Sequence, residues 1–209
     1  MTPDVLPRCH LLSCGRGLLA LGAAVLMACE SGPTSLADSK TDVPAVDEVA
    51  VYAAVLAQHY GASFYVISDH TGTFPVEDPD ASDELAYLQT EIPDLPIEMV
   101  ASFCVRSDVA YPLSPNMDLG APYELISQQE LNAIFSAEDM SGWQRFYEKY
   151  PKATGSIRFT RVGFDATGNE ALLMWRFQSD WLAGDGGFIV LDKIEGGWRV
   201  SNRIVTLVS

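Results

Sequence analysis

The tripeptide Asp69-His70-Thr71 has the residue types that acid–base catalysis requires. It follows the predicted strand Ser63–Ile67, and the ends of strands often carry functional side chains. A histidine beside a carboxylate can act as the general base of a hydrolase. The same residue types are also common in turns and helix caps. Asp69 and His70 are therefore candidate catalytic residues, with an ordinary turn as the alternative.

An acidic segment near residue 80 has the density of oxygen atoms that a Ca²⁺ site needs. Its candidate ligands are Asp78, Asp80, Asp83 and Glu84. The likeness to an EF-hand loop is partial, because Asp83 replaces the turn glycine and Gln89 replaces the closing glutamate. A solvated acidic loop is the alternative. Metalloprotease, serine-hydrolase, P-loop and Cys-x-x-Cys motifs do not occur, and the sequence predicts no cofactor.

The apolar run Gly17–Ala28 follows Arg8 and Arg16 and ends at a cysteine, Cys29. Its 12 residues suit a secretory signal, whereas a membrane span needs about 20. The end of the run, Leu26-Met27-Ala28-Cys29, resembles the lipobox of bacterial lipoprotein signal peptides. The resemblance implies cleavage before Cys29, acylation of Cys29 and a membrane-anchored life outside the cytoplasm. An ordinary secretory signal or a buried helix are the alternatives.

The residue after the lipobox cysteine bears on which membrane is used. In many Gram-negative bacteria an aspartate there retains lipoproteins in the inner membrane, and this chain has Glu30. We therefore expect the outer membrane if the source has one. The lipid would be the contact with the membrane, since two or more acyl chains anchor a protein stably.

The charge distribution is one-sided. The net charge is −15, and residues 41–105 contain twelve acids and no Lys or Arg. This composition argues against binding nucleic acid or adhering directly to anionic lipid. The carboxylates of this half must face water, counterions, an external partner, or bases supplied by the second half.

The chain divides into three parts by composition. Residues 1–28 form the predicted signal peptide, and residues 29–44 form the lipidated cysteine and a Gly/Ser/Pro/Thr-containing tether. Residues 45–209 suit one domain, or two packed subdomains over 45–122 and 123–209. Cys104 lies in an apolar helical pattern, where we expect a buried, unreactive thiol.

Residue periodicity predicts an α+β fold with helices packed on a C-terminal antiparallel sheet of about four strands. A cone-shaped ligand-binding α+β fold of the NTF2-like kind is the alternative. Trp198 should be largely buried, with Trp198, Val200 and Ile204 on one face of the last strand. We expect helices over 46–60, 84–90, 97–106, 128–135 and 142–150. We expect strands over 63–67, 123–126, 156–164, 170–178, 188–193 and 198–208. A loop is expected over 70–82 and a turn over 184–187.

Two helix starts have cap residues. Ser127 and Glu130 form a capping-box pattern before the helix that runs through Phe135. Ser141 is a second candidate N-cap.

A run of residues in the C-terminal half is similar to uncharacterised bacterial secreted proteins and lipoproteins. It includes Trp143, Tyr150-Pro151, Arg161-Val162-Gly163-Phe164 and Trp198. Most of these positions are aromatic or glycine, which specify a fold more than a chemistry. We therefore expect an envelope lipoprotein whose domain is a binding or assembly module, with a protein partner or a small ligand. An envelope hydrolase using Asp69 and His70 is the alternative.

Overall fold

The computed structural model describes residues 46–59, 64–74, 79–136, 141–195 and 197–208. All of them belong to one compact unit, Thr41–Ser209. The lipobox, Cys29 and the tether lie outside the described residues. No helix in these ranges is long and apolar enough to cross a bilayer.

The described residues form an α+β fold, as predicted. The helices are α1 (Val46–His59), α2 (Pro79–Glu91), α3 (Ile97–Ser107), α4 (Gln128–Phe135) and α5 (Gly142–Lys149). The strands are β1 (Phe64–Ser68), β2 (Tyr123–Ile126), β3 (Ala153–Phe159), β4 (Gly163–Phe164), β5 (Glu170–Asp180), β6 (Ala183–Ile194) and β7 (Gly197–Val208).

The sheet is larger than the expected four strands. Its described strands number seven, in the order β2-β1-β3-β5-β6-β7, with β4 paired to β5. The predicted meander supplies the antiparallel part, and β1 and β2 extend it through parallel pairings with β3 and with each other. Parallel neighbours need long crossover connections, which the helix pairs α2–α3 and α4–α5 provide.

Two details of the predicted meander are wrong. Gly184–Gly187 do not form a turn but lie inside β6, and the chain reverses at Trp181-Leu182 instead. Gly187 has a φ of 150° at a β-bulge opposite β7, where a Cβ would collide with the Ile204 carbonyl oxygen. The single strand expected over 156–164 is also broken, because residues 160–162 leave the ladder between β3 and β4.

The sheet is covered on both faces. On one face, α1 and the segment 113–119 pack on a cluster that includes Ile157, Trp175 and Trp198. Trp198 is 9% exposed, which confirms its expected burial. Ile204 packs in the cluster on the opposite face, because a bulge between the pairs of Val190 and Leu191 shifts the register of β7.

The second face carries two separate groups of helices. Helices α2 and α3 cover the β5–β7 side through a cluster that includes Leu88, Phe103 and Phe188. Cys104 is buried in this cluster, as expected. Helices α4 and α5 cover the β1–β2 side through Ile134, Trp143 and Phe146. The polar middle of the sheet, over β3 and β5, lies between the two groups.

The helix caps explain how α4 and α5 are held together. Ser127 caps α4 as predicted, accepting a hydrogen bond from the Glu130 backbone N–H at 3.1 Å. The Glu130 carboxylate instead accepts a hydrogen bond at 2.8 Å from the hydroxyl of Tyr150, which directly follows α5. It also contacts Lys149, the last residue of α5. The Ser141 hydroxyl does not cap α5, because it accepts from the Arg145 guanidinium.

Candidate functional site

A cleft of about 620 Å³ lies over the middle of the sheet, between α2 on one side and α4–α5 on the other. Its size falls in the range of ligand pockets, about 300–1,000 Å³. The lining residues that the argument uses are Asp80 and Glu84 of α2, Gln128, Asn132 and Phe135 of α4, Trp143 of α5, Arg158 of β3, Arg176 of β5, and Trp181. We call this cavity the central cleft.

Alternation along two strands builds the floor of the central cleft. Ile157 and Phe159 of β3 point into the core on the α1 side, so Ser156, Arg158 and Thr160 fall on the cleft side. On β5, Trp175 points into the same core, so Met174, Arg176 and Gln178 also fall on the cleft side. The middle of the sheet therefore presents polar side chains where a purely structural sheet would bury apolar ones.

Arg158 and Arg176 lie directly opposite each other on β3 and β5. Like charges in this position repel and destabilise a sheet. Burial lowers the pKa of Arg158, the Arg176 guanidinium lowers it further, and the Asp69 carboxylate acts in the opposite sense. Arg158 nevertheless carries a positive charge at neutral pH, because the guanidinium group of arginine is not deprotonated in proteins.

Neither arginine of this pair forms an ion pair with a carboxylate in the part of the chain that the structure describes. The Arg158 guanidinium donates to the Gln128 side-chain oxygen, and Gln128 Nε2 donates to Asn132 Oδ1 at 2.8 Å. This chain of hydrogen bonds fixes the orientation of all three side chains. It leaves N–H groups of the two arginines available to an acceptor in the cleft.

Aromatic rings close the α4–α5 side of the cleft. The ring centroid of Phe135 lies 5.0 Å from that of Trp143 and 5.7 Å from that of Trp181. Trp143 is 6% exposed, and its indole nitrogen has no hydrogen-bond acceptor among the described residues. A buried donor without a partner costs free energy, so such donors are uncommon in folded proteins.

The acidic segment forms the opposite wall, but not as the expected loop. Helix α2 begins at Pro79, a residue type that is tolerated at a first helical position. Asp80 and Glu84 are one turn apart and line the cleft, whereas Asp83 is exposed and does not. Helical spacing turns neighbouring side chains about 100° apart, so these residues cannot wrap an ion as an EF-hand loop does.

In the described ranges, no three His, Cys, Asp or Glu side chains are grouped so that they could hold an ion. Asp78, the remaining candidate ligand, lies outside those ranges.

The structure brings the candidate catalytic residues together at the end of β1. His70 Nδ1 lies 2.9 Å from Asp69 Oδ1, with the two side chains 54% and 30% exposed. The neighbouring Thr71 is buried, and its hydroxyl accepts a hydrogen bond from the Tyr111 backbone N–H at 2.9 Å. In the described contacts, the His70 imidazole pairs with a carboxylate and with no hydroxyl or thiol. The pair does not line the central cleft.

A second cavity of about 430 Å³ lies beside β5 and β6 and is lined by His59, Asp185 and Arg203 among others. Burial lowers the pKa of His59, and Arg203 lowers it further while Asp185 opposes the change. Arg203 and Asp185 pair with each other, so the charges in this cavity are already compensated. The central cleft is therefore the stronger candidate site.

The residue pair at the centre of the cleft was not predicted from the sequence. A signal was present, since Ser156-Ile157-Arg158-Phe159-Thr160 and Arg176-Phe177-Gln178 place polar residues on alternate positions of two strands expected under helices. No protein-family model matches the chain, and no curated protein or solved structure matches it either.

Proposed function

We propose that this chain is a lipid-anchored protein of the bacterial cell envelope whose folded domain is a binding module. The central cleft is its binding site, and a phosphate or carboxylate group of the ligand lies between Arg158 and Arg176. The observation that carries this proposal is the direct opposition of the two arginines on β3 and β5.

Neither Arg158 nor Arg176 has a carboxylate counter-charge among the described residues. Repulsion between opposed arginines is unfavourable in the free domain, and an oxyanion bound between them removes it. Guanidinium groups bind carboxylate and phosphate through two parallel hydrogen bonds, which are stronger than bonds between neutral groups. A chain with a net charge of −15 repels anions overall, so a local pair of arginines gives the cleft its selectivity.

The proposed location depends on the lipobox and on the tether that follows it. Acyl chains on Cys29 would hold the protein at the membrane, and the 15 residues of 30–44 would span roughly 20 Å as a random coil. The domain would then face the space outside the cytoplasm, at the outer membrane if the source is Gram-negative. Binding of a soluble or surface-borne anionic ligand fits this position.

Hydrolysis by Asp69 and His70 is the second candidate function. The observation that favours it is the 2.9 Å contact between the carboxylate and the imidazole at a strand end. His70 is exposed and Asp69 is partly buried, and neither lines the central cleft, although the Asp69 carboxylate is near enough to act on Arg158. We therefore prefer the binding function.

Thermal unfolding in potassium phosphate tests the anion site. Phosphate also stabilises proteins by exclusion from their surface, so the informative quantity is the difference between variants. At ten times the dissociation constant, bound phosphate contributes about 1.4 kcal/mol, or roughly 3–6 °C in Tm. We expect this extra rise over KCl of equal ionic strength in the full-length chain and its loss in Arg176→Gln.

The matched control is Arg199→Gln, which makes the same change in charge at an exposed position on β7, where Arg199 pairs with Asp192 at 3.9 Å. It should keep the wild-type response to phosphate. Equal responses in Arg176→Gln and Arg199→Gln would remove the proposed anion site.

A further inference from the structure

Three aromatic residues line the α4–α5 side of the central cleft. Phe135 is the last residue of α4, and Trp181 directly follows β5. Both side chains are partly buried and pack in the same apolar cluster as Trp143 of α5, which is 6% exposed. The ring centroid of Phe135 lies 5.0 Å from that of Trp143 and 5.7 Å from that of Trp181. We call these three residues the aromatic wall.

The register of β3 and β5 places the aromatic wall close to the arginine pair. Next to Arg158 and Arg176, the following pair on the cleft side of the two strands is Ser156 and Gln178. Two residues along an antiparallel strand cover about 7 Å. Trp181 follows Gln178 at the end of β5 and lines the same cleft. The floor therefore leads from two cations, through an uncharged polar pair, to aromatic surface.

Two contacts hold the aromatic wall in place. A Cβ on Gly142, the first residue of α5, would collide with the Phe135 ring, so the absence of a side chain at Gly142 makes room for that ring. The Arg145 side chain donates from Nε to the Ile134 carbonyl oxygen at 2.8 Å, which ties the end of α4 to α5. A binding surface that is already ordered costs less conformational entropy when a ligand binds.

The chemistry of the aromatic wall favours a ring over a hydroxylated group. Phe135 has no polar side-chain atom, and the indole nitrogen of Trp143 is buried, so both residues present carbon to the cleft. Hydroxyl groups of a saccharide placed against this surface would lose their hydrogen bonds to water without replacing them. A planar aromatic ring loses none, and contacts between aromatic rings are favourable beyond the burial of their surface.

We infer that the ligand is a small aromatic molecule that carries a phosphate or carboxylate group. Its oxyanion lies between Arg158 and Arg176, and its ring packs against Phe135 and Trp181. This inference rests on the proposed function, because it takes the arginine pair as the anion site, and it adds the organic part of the ligand. The 620 Å³ of the cleft have room for such a molecule.

Three phosphate esters that carry a six-membered ring on the same CH₂–O–phosphate arm test the inference by calorimetry on the full-length chain at pH 7.5. The ring is aromatic in benzyl phosphate, saturated in cyclohexylmethyl phosphate and hydroxylated in glucose 6-phosphate. We expect benzyl phosphate to bind at least about threefold more tightly than cyclohexylmethyl phosphate, because contacts between rings add to apolar burial. Apolar burial alone would favour the saturated ring, which has the larger apolar surface. Phenylacetate and cyclohexylacetate repeat the comparison with a carboxylate, and a preference for the aromatic ring in either pair supports the inference.

Two phenylalanine variants show whether the preference arises at the aromatic wall. Phe135→Leu keeps an apolar side chain but removes the ring, so it should abolish the preference for benzyl phosphate over cyclohexylmethyl phosphate. Phe164→Leu is the matched control, because Phe164 is also partly buried but packs in the cluster on the opposite face of the sheet. It should keep the preference. Far-ultraviolet circular dichroism checks that both variants are folded.

A measurement on the wild-type chain locates the ring without any variant. Nuclear Overhauser effects between the ring protons of bound benzyl phosphate and those of Phe135 and Trp181 should appear in the saturated complex. A saturated complex that shows contacts with neither side chain would overturn the assignment of the ring to the aromatic wall.

The outcomes distinguish this inference from the proposed function. Equal, Arg176-dependent binding of benzyl phosphate and cyclohexylmethyl phosphate would overturn the aromatic ligand and leave the anion site standing. Tighter binding of glucose 6-phosphate would also overturn it and would point to a saccharide phosphate. Failure of every phosphate and carboxylate probe to bind would overturn both proposals.

Discussion

Glu48 of α1 and Arg161 of the β3–β4 connection form a buried ion pair, in which one arginine nitrogen contacts both carboxylate oxygens. Arg161 Nε lies 2.9 Å from Glu48 Oε1 and 3.1 Å from Oε2. The Val162 backbone N–H donates to Oε1 at 3.0 Å, and Arg106 of α3 lies 3.1 Å from the same oxygen. The second half of the chain therefore supplies a base to the acidic first half, one of the arrangements that the charge distribution allowed.

Replacing the buried carboxylate should be strongly destabilising. Glu48→Gln leaves the Arg161 guanidinium buried without its counter-charge, which typically costs about 3–5 kcal/mol. Urea unfolding followed by circular dichroism measures the change in free energy. Asp47→Asn is the control, since Asp47 is 64% exposed and lies 3.7 Å from Lys193, and it should change stability by less than about 0.5 kcal/mol. Comparable losses in the two variants would contradict a structural role for this ion pair.

The same carboxylate should make stability depend on pH. Burial raises the pKa of Glu48, but the hydrogen bonds from Arg161 and Val162 and the charge of Arg106 outweigh it, so the pKa lies below 4.5. A lowered pKa means that the unfolded chain takes up the proton first. The contribution of Glu48 is therefore complete well above pH 4.5 and is lost as the pH falls through the pKa of the folded state. Urea unfolding between pH 3 and 7 should show a smaller acid loss in Glu48→Gln than in the wild type, and parallel pH profiles would refute this assignment.

Gly163 should not tolerate even a methyl group. A Cβ at this position would lie 2.6 Å from the Met99 carbonyl oxygen and would also strike the Phe103 backbone, because β4 packs directly on α3. Backbone atoms cannot move aside as a flexible side chain can, so Gly163→Ala should cost about 1–3 kcal/mol. The matched control is Gly197→Ala, whose Cβ would lie at an ordinary 3.8 Å from the Ile194 carbonyl oxygen. A difference of less than 0.5 kcal/mol between the two variants in urea would argue against this close packing.

Arg161 and Gly163 belong to the residues on which the expected resemblance to bacterial secreted proteins and lipoproteins rests, and their contacts give them a structural role. Arg161 neutralises a buried glutamate, and Gly163 allows a helix to approach a strand. Neither residue lines the central cleft. The contacts of these two residues therefore concern the stability of the fold.

Cys29 should carry the lipid. Mass spectrometry of the native protein should find an N-terminus at this cysteine with attached acyl chains. Cys29→Ser prevents acylation and should move the protein out of the membrane fraction, as judged by fractionation and immunoblotting. Cys104→Ser is the control, because Cys104 is buried in the domain and should leave the location unchanged. Retention of Cys29→Ser in the membrane would make the lipobox prediction wrong.

Local signals in the sequence predicted some elements closely. The strand Tyr123–Ile126, the cap Ser127 and the helix through Phe135 were predicted with their observed bounds, because each depends on neighbouring residues. The turn predicted at Gly184–Gly187 was wrong because glycine permits both turns and β-bulges. Which of the two forms here depends on the pairing of β6 with β7. Local residue types could not distinguish the two.

The central cleft depends on contacts between distant parts of the sequence. Arg158 meets Arg176 only after β3 and β5 pair, and the α2 wall reaches the cleft only through the packing of α2 and α3 on the far strands. The candidate residues Asp69 and His70 were recognisable because they are adjacent in sequence. Adjacency was a poor guide to the larger site, whose charged residues are spread from Asp80 to Arg176.

The most direct test of the account follows the arginine side chains themselves. Nuclear magnetic resonance can record the side-chain Nε–H signals of the ¹⁵N-labelled chain while sodium phosphate is added at constant ionic strength. We expect the signals of Arg158 and Arg176 to shift together and saturate with one dissociation constant, while those of Arg199 and Arg203 stay in place. Equal, unsaturable shifts of all four signals would contradict an anion site in the central cleft.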